Sequence, residues 1–156
     1  MAEERDQGDA GRRGSKRVGT DVFYESPFTL LGRLRSFRHA AVGIWFVVRS
    51  QHNAWLHAIA TGLALVLAIA LSIAVEPLSV GQWCDLVIAI VLVWVAETFN
   101  TGLEVLAAAI TSERHPIVKI AKDVAAAAVL MSALGAFAVG CLLFVPRLWA
   151  LIARLL

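Results

Sequence analysis

Apolar residues gather into three long runs, at 54–75, from about 80–84 to 110, and at 120–145, while polar residues collect between the runs and ahead of them. At 1.5 Å per helical residue, about 20 residues cross roughly 30 Å of hydrocarbon, so the pattern predicts three transmembrane helices. The second run is longer than a bilayer requires, which predicts a tilt or an end projecting into water. The third is expected to stop against Pro146. Ahead of these runs, Phe28, Leu31, Leu34, Phe37, Ala41, Ile44 and Val48 recur at helical spacing, with Arg33, Arg35, Arg38 and Arg49 among them. That pattern predicts an amphipathic helix lying on a membrane surface, opened by Ser26 as cap and Pro27 at the first helical position. Its arginines would snorkel to lipid phosphate. Trp55 and Trp83 suit interfacial belts, and Trp94 sits within a span as core packing. The resulting division is a disordered polar tail over 1–25, a membrane domain over 26–146 and a short interfacial tail over 147–156.

Composition agrees with a membrane domain: the 156 residues are 59% hydrophobic with a mean hydropathy of +0.74. The polar, glycine-rich start lacks the apolar centre of a secretory signal. The net charge of +2 matters less than its distribution, because no Lys or Arg occurs between residues 50 and 113. The loop after the first run carries Glu76 and Asp85 without a basic residue, whereas the N-terminal region and the segment SERHPIVKIAKD carry arginines and lysines. The positive-inside rule then places these two on the cytoplasmic side and the C-terminus outside, which Arg147 and Arg154 fit poorly. Cys84 and Cys141 have no metal-ligand spacing and read as buried apolar side chains.

Chemistry enters through Glu97, Asn100 and Glu104. On a helix these fall within about 60° of one another, with Thr101 beside them, as a polar stripe on an apolar helix. Interhelical hydrogen bonding accounts for Asn100, but a buried carboxylate needs a cation, a proton or strong donors, so two carboxylates point to a site. Ion passage is a third reading. Near the expected cytoplasmic end lie Gln51, His52, Asn53 and His57, then Glu113, Arg114 and His115, then Lys119, Lys122 and Asp123. Cations to hold phosphate, a carboxylate to hold magnesium and another to accept a proton suit phosphoryl transfer to a membrane alcohol. No glycine-rich nucleotide loop, Walker motif or protein-kinase signature is present.

The ordered motifs RSFRHAAVG, SQHNAWLH, AETFNTGLE, ERHP and AKDVAAAAVL give the chain a specific resemblance, over about Phe28 to Pro146. It resembles the small prokaryotic integral-membrane lipid kinases, the diacylglycerol kinase and undecaprenol kinase family. The resemblance implies an all-α membrane protein with an amphipathic N-terminal helix and three transmembrane helices. It further implies a homotrimer in the cytoplasmic (inner) membrane, with sites at subunit boundaries near the cytoplasmic face. Such proteins use Mg2+ and ATP to phosphorylate a lipid hydroxyl; no nucleic-acid partner is expected.

Carried over by resemblance, Glu97 is the catalytic base, Asn100 its polar support and Glu104 a magnesium ligand. Lys122 and Asp123 are nucleotide-site positions, adjoined by Glu113, Arg114 and His115 on the phosphate side. His39 stands where the family often has tyrosine, and Gln51 where it commonly has a second magnesium-linked glutamate. Ala108 replaces a frequently acidic position. The implied acceptor is undecaprenol, with diacylglycerol as the alternative. The lost acidity at Gln51 and Ala108 also admits a catalytically weakened scaffold that binds lipid or nucleotide.

Overall fold

The computed structural model describes residues 30–111 and 115–156, all of them in helices or the short breaks between helices. The chain divides into two compact units, Met1–Ser36 and Phe37–Leu156. In the first, the described residues are the opening turns of helix α1 (Leu30–Ser50), where the Ser36 hydroxyl donates to the Gly32 carbonyl at 3.1 Å. Ser26 and Pro27, the expected start of this helix, lie outside the described residues. The second unit holds the rest of α1 together with α2 (His52–Ala74), α3 (Val80–Ile110) and α4 (Pro116–Leu155). The last three are long and apolar enough to cross a membrane.

The breaks follow local chemistry. Gln51 alone separates α1 from α2: its backbone is extended, with φ −106° and ψ 124°. Its side chain is therefore spent elsewhere than on a cap. Ser79 opens α3 with a capping box, its hydroxyl accepting from the Gln82 backbone and the Gln82 side chain accepting from the Ser79 backbone. His115 precedes α4 in extended conformation, and Pro116 takes the first helical position, where a missing N–H is harmless.

The third membrane helix departs from expectation at its end. Pro146 does not stop α4, which continues to Leu155 over 40 residues. Proline removes one backbone donor from the helix, and tertiary contacts after it hold the remaining turns in place. Arg147 is only 5% exposed, and it donates to the Leu143 carbonyl at 3.0 Å and to Gln82 Oε1 at 2.9 Å. It also lies 3.5 Å from Glu76. Two turns on, Arg154 reaches the carbonyls of Ala74 and Val75 at 3.2 and 3.4 Å. These belong to the end of α2, where carbonyls lack intrahelical partners and the helix dipole favours a cation. Residues 147–156 are thus a helical clamp on the α2–α3 turn, and the two arginines are bound rather than free loop charges.

Beside this clamp lies the apolar core of Ala68, Leu71, Leu78, Leu86, Leu143 and Phe144, drawn from α2, the following turn, α3 and α4. The most extensive packing runs along α3 and α4. The expected burial of both cysteines does not hold on the single chain, where Cys84 is exposed and Cys141 half-buried, because Cys84 falls off the packed face of α3.

Arg147→Ala removes buried, charge-assisted hydrogen bonds and is expected to cost about 1–3 kcal/mol. Arg154→Ala, at an exposed position, is expected to cost under about 1 kcal/mol. Thermal unfolding in detergent followed by size-exclusion detection ranks the two, and equal losses contradict the clamp as described.

Candidate functional site

The buried residues of α3 run Leu86, Ala89, Val93, Glu97, Asn100, Thr101 and Ala107. Their spacing of three and four residues is that of one helix face. The polar stripe therefore continues the packing seam: apolar near the clamp, polar from Glu97 onward. Glu97 and Thr101 are each 1% exposed and Asn100 is 5% exposed.

What faces them comes from α2 and α4. Asn53 and His57 of α2, Glu97 and Asn100 of α3, and Ala126, Val129, Leu130 and Ala133 of α4 enclose a cavity of about 240 Å³. The alanines keep the α4 wall low, so the helices approach without filling the space above the carboxylate. The Glu97 carboxylate meets His57 across it, with Nε2 to Oε2 at 3.6 Å. Both Glu97 oxygens, Asn100 Oδ1, Thr101 Oγ1 and His57 Nε2 are buried without a hydrogen-bond partner in the chain. Most buried polar atoms in proteins are paired, so this concentration is the signature of a place built to receive polar groups.

His57 also lines a second, larger cavity of about 620 Å³ that runs between α2, α3 and α4 towards the clamp. Its walls are apolar and often small, among them Ala60, Ala64, Ala89, Ala136 and Gly140. His57 and Ala133 border both spaces, which joins a hydrocarbon-lined groove to a buried carboxylate.

Two turns along α3, Glu104 meets Gln51 of the α1–α2 break, whose Nε2 donates to Oε2 at 3.4 Å. The two residues expected to share a metal are therefore neighbours in space. The remaining expected residues are not drawn in. His39 is exposed on α1, His115 is exposed before α4, and Lys122 is exposed on the first turns of α4. Asp123 pairs with Lys119 at 2.6 Å, an exposed i,i+4 pair of small energetic weight. Among the described residues none of these four touches Glu97 or Glu104; Glu113 and Arg114 lie outside the described residues. Ala108 is exposed on α3.

The part that sequence reasoning left unassigned is His57. It stood among polar residues at a membrane boundary, yet Asn53, His57 and Thr61 follow one another at i,i+4 spacing on a single face of α2. That second polar stripe, matched to the one on α3, was the available signal.

Comparison with known proteins places this geometry among relatives. A family model described as prokaryotic diacylglycerol kinase matches residues 38–144, which include every described site residue and exclude Arg147 and Arg154. The chain is 34% identical over 114 residues to an undecaprenol kinase of Bacillus subtilis, covering 73% of this chain and 89% of that protein. It is 38% identical over 117 residues to a diacylglycerol kinase of Synechocystis sp., covering 74% of this chain and 64% of that protein. No solved structure matches the chain.

A carboxylate buried opposite a single histidine is held at an energetic loss. Glu97→Gln removes the charge and keeps the shape, and is expected to stabilise the fold by about 1 kcal/mol, a rise of roughly 2–4 °C in apparent Tm. A fall in Tm would show that the carboxylate has strong native partners and contradict this account.

Proposed function

Because the chain belongs to the prokaryotic diacylglycerol kinase and undecaprenol kinase family, we propose that it phosphorylates a membrane lipid alcohol with ATP, undecaprenol being the preferred acceptor. The observation that carries this reading is the buried Glu97 carboxylate at the head of an apolar groove, since a lipid alcohol has one polar atom on a hydrocarbon body. The hydrocarbon would occupy the groove and the hydroxyl would meet Glu97. As the hydroxyl oxygen bonds to the terminal phosphorus of ATP, its proton passes to Glu97 and the bond from that phosphorus to the bridging oxygen breaks, leaving ADP. The preference for undecaprenol draws support from the match spanning 89% of the Bacillus subtilis undecaprenol kinase. Diacylglycerol is the alternative acceptor, supported by the likeness to the Synechocystis enzyme.

The donor set fits magnesium in part. Glu104 and Gln51 bring a carboxylate and an amide to one place, the amide nitrogen now facing Glu104, so the amide would turn its oxygen to share a cation, and magnesium accepts few protein ligands alongside water and phosphate. Among the described residues no group of three His, Cys, Asp or Glu converges, so the protein's share of the coordination is small. When bound, the ion would neutralise charge on the ATP phosphates. Gln51 and Glu104 would hold it, with Lys122 and Asp123 towards the nucleotide, and Asn100 would orient the acceptor beside Glu97. The family resemblance supports a homotrimer in the inner membrane, in which neighbouring copies complete each site. Charge distribution supports the site facing the cytoplasm. A lipid- or nucleotide-binding scaffold is favoured instead only by the neutral Gln51 and Ala108.

Purified protein in mixed micelles with magnesium and ATP labelled in the terminal phosphate is expected to label undecaprenol more than diacylglycerol at equal mole fraction. Glu97→Gln is expected to lower turnover about 100-fold or more while ATP binding persists. Labelling of neither lipid by folded protein would establish the scaffold reading.

A neutral amide lacks the charge that draws a divalent cation, so magnesium demand depends heavily on Glu104. Gln51→Glu is expected to lower the magnesium concentration for half-maximal activity, and Glu104→Gln to raise it or abolish activity. Overlaying curves for Gln51→Glu and the native protein would remove Gln51 from the metal site.

A further inference from the structure

We infer that His57 is a positioning residue for Glu97: its ring holds one carboxylate oxygen so that the other faces the acceptor hydroxyl. The inference rests on the kinase reading only for its kinetic consequences; the contact itself is independent of it.

Four side chains alternate between two helices to set the histidine in place. On α3, Trp94 donates its indole N–H to the Thr61 hydroxyl of α2 at 3.2 Å. The His57 ring, one turn from Thr61, stands edge-on to the Trp94 ring, with centroids 6.5 Å apart and planes at 67°. Glu97, three residues from Trp94, then receives His57 Nε2 at 3.6 Å from Oε2. Thr61 and His57 at i,i+4, and Trp94 and Glu97 at i,i+3, are neighbours on their own helix faces, so the two pairs interlock. A histidine braced in this way has little freedom to turn from the carboxylate. Its side chain is 16% exposed, against 1% for Glu97.

The surroundings leave His57 without a competitor. The α4 wall contributes Ala126, Val129, Leu130 and Ala133, and Leu56 with the neutral amides of Asn53 and Asn100 completes the lining. Among the described residues, His57 is therefore the one titratable side chain that lines the cavity with Glu97. At 3.6 Å the pair is just beyond hydrogen-bond distance in the chain alone, and closing by a few tenths of an ångström around a bound acceptor would let Nε2–H donate to Oε2 and leave Oε1 as the basic oxygen. His57 takes no proton from the lipid in this arrangement. It fixes which carboxylate oxygen does.

The test uses the full chain in micelles. His57→Leu removes the donor and is expected to lower kcat about 10- to 100-fold, the weight of one hydrogen bond to a charged group, with KM for ATP within about twofold of native. His57→Gln, whose amide nitrogen reaches where Nε2 stood, is expected to recover most of that loss. A histidine that only lined the groove would instead raise KM for the lipid at unchanged kcat, and that result overturns the proposal. So does a Gln variant no more active than the Leu variant. The readout independent of activity is the imidazole nitrogen resonances of protein labelled with ¹⁵N-histidine, the His57 signals being those lost in His57→Gln. They are expected to shift in Glu97→Gln while the His39, His52 and His115 signals stay in place, and unchanged His57 signals overturn the contact. If the native protein phosphorylates neither lipid, the kinase reading fails, and the resonances still decide whether His57 and Glu97 are paired. If the His57 variants do not fold, the comparison of native protein with Glu97→Gln decides, its histidine signals assigned by His39, His52 and His115 substitutions.

Discussion

A carboxylate inside a helix bundle made for hydrocarbon sets the terms for the rest of this molecule. Glu97 is buried on the packing face of α3, and neither of its oxygens has a hydrogen bond within the chain. A position of that kind is unfavourable by several kcal/mol unless a donor or counter-charge is brought to it. The sequence of α2 answers with His57 at 3.6 Å, and α4 answers with alanines that leave a cavity instead of pressing hydrocarbon onto the charge. Neither helix fully compensates the carboxylate. The oxygens left without partners are therefore free to meet a ligand that brings its own donor.

The helices are held at the other end. The apolar core, the capping box of Ser79 and Gln82, and the grip of Arg147 and Arg154 all lie around the α2–α3 turn. Polar pairing thus secures the end where no chemistry is expected, while buried polar atoms without partners gather around Glu97. This division has a structural logic: the seam of α3 changes from apolar to polar at Glu97, and the three helices must stay in register across that change. The clamp supplies the missing constraint. Its two arginines follow the residues matched by the family model, while their partners Glu76, Gln82 and Leu143 lie within them.

Most of the architecture was legible because hydrophobic period and length are local properties. Three apolar runs became three helices, and in the polar stripe Glu97 and Asn100 are buried on the packed face of α3 while Glu104 is half-buried. Gln51 and Glu104, to which the resemblance assigns one metal, are neighbours joined by a hydrogen bond. The end of α4 was misread because proline was weighed by its local cost alone, whereas Arg147 and Arg154 anchor the turns that follow it. His57 was passed over for a similar reason. A histidine near a membrane boundary carries no distinctive local signal, and its meaning arises from Trp94 and Glu97 on another helix. Lys122 and Asp123 show the opposite limit, since their motif is plain in sequence while the single chain leaves them exposed.

The arginines also bear on how charge should be read for orientation. The positive-inside rule counts basic residues that are free to choose a side, and Arg147 and Arg154 appeared to count against a C-terminus facing outward. Arg147 is buried against Gln82 and Glu76, and Arg154 binds the carbonyl end of α2. A cation neutralised by a carboxylate or a helix terminus carries less net charge into the interface than a solvated one. Discounting them leaves Arg49 at the end of α1 and Lys119 and Lys122 at the start of α4 as the basic groups near the Gln51 and Glu104 end of the helices. The polar site and these basic residues then share one end of the helices, while the clamp with its internally paired charges occupies the other.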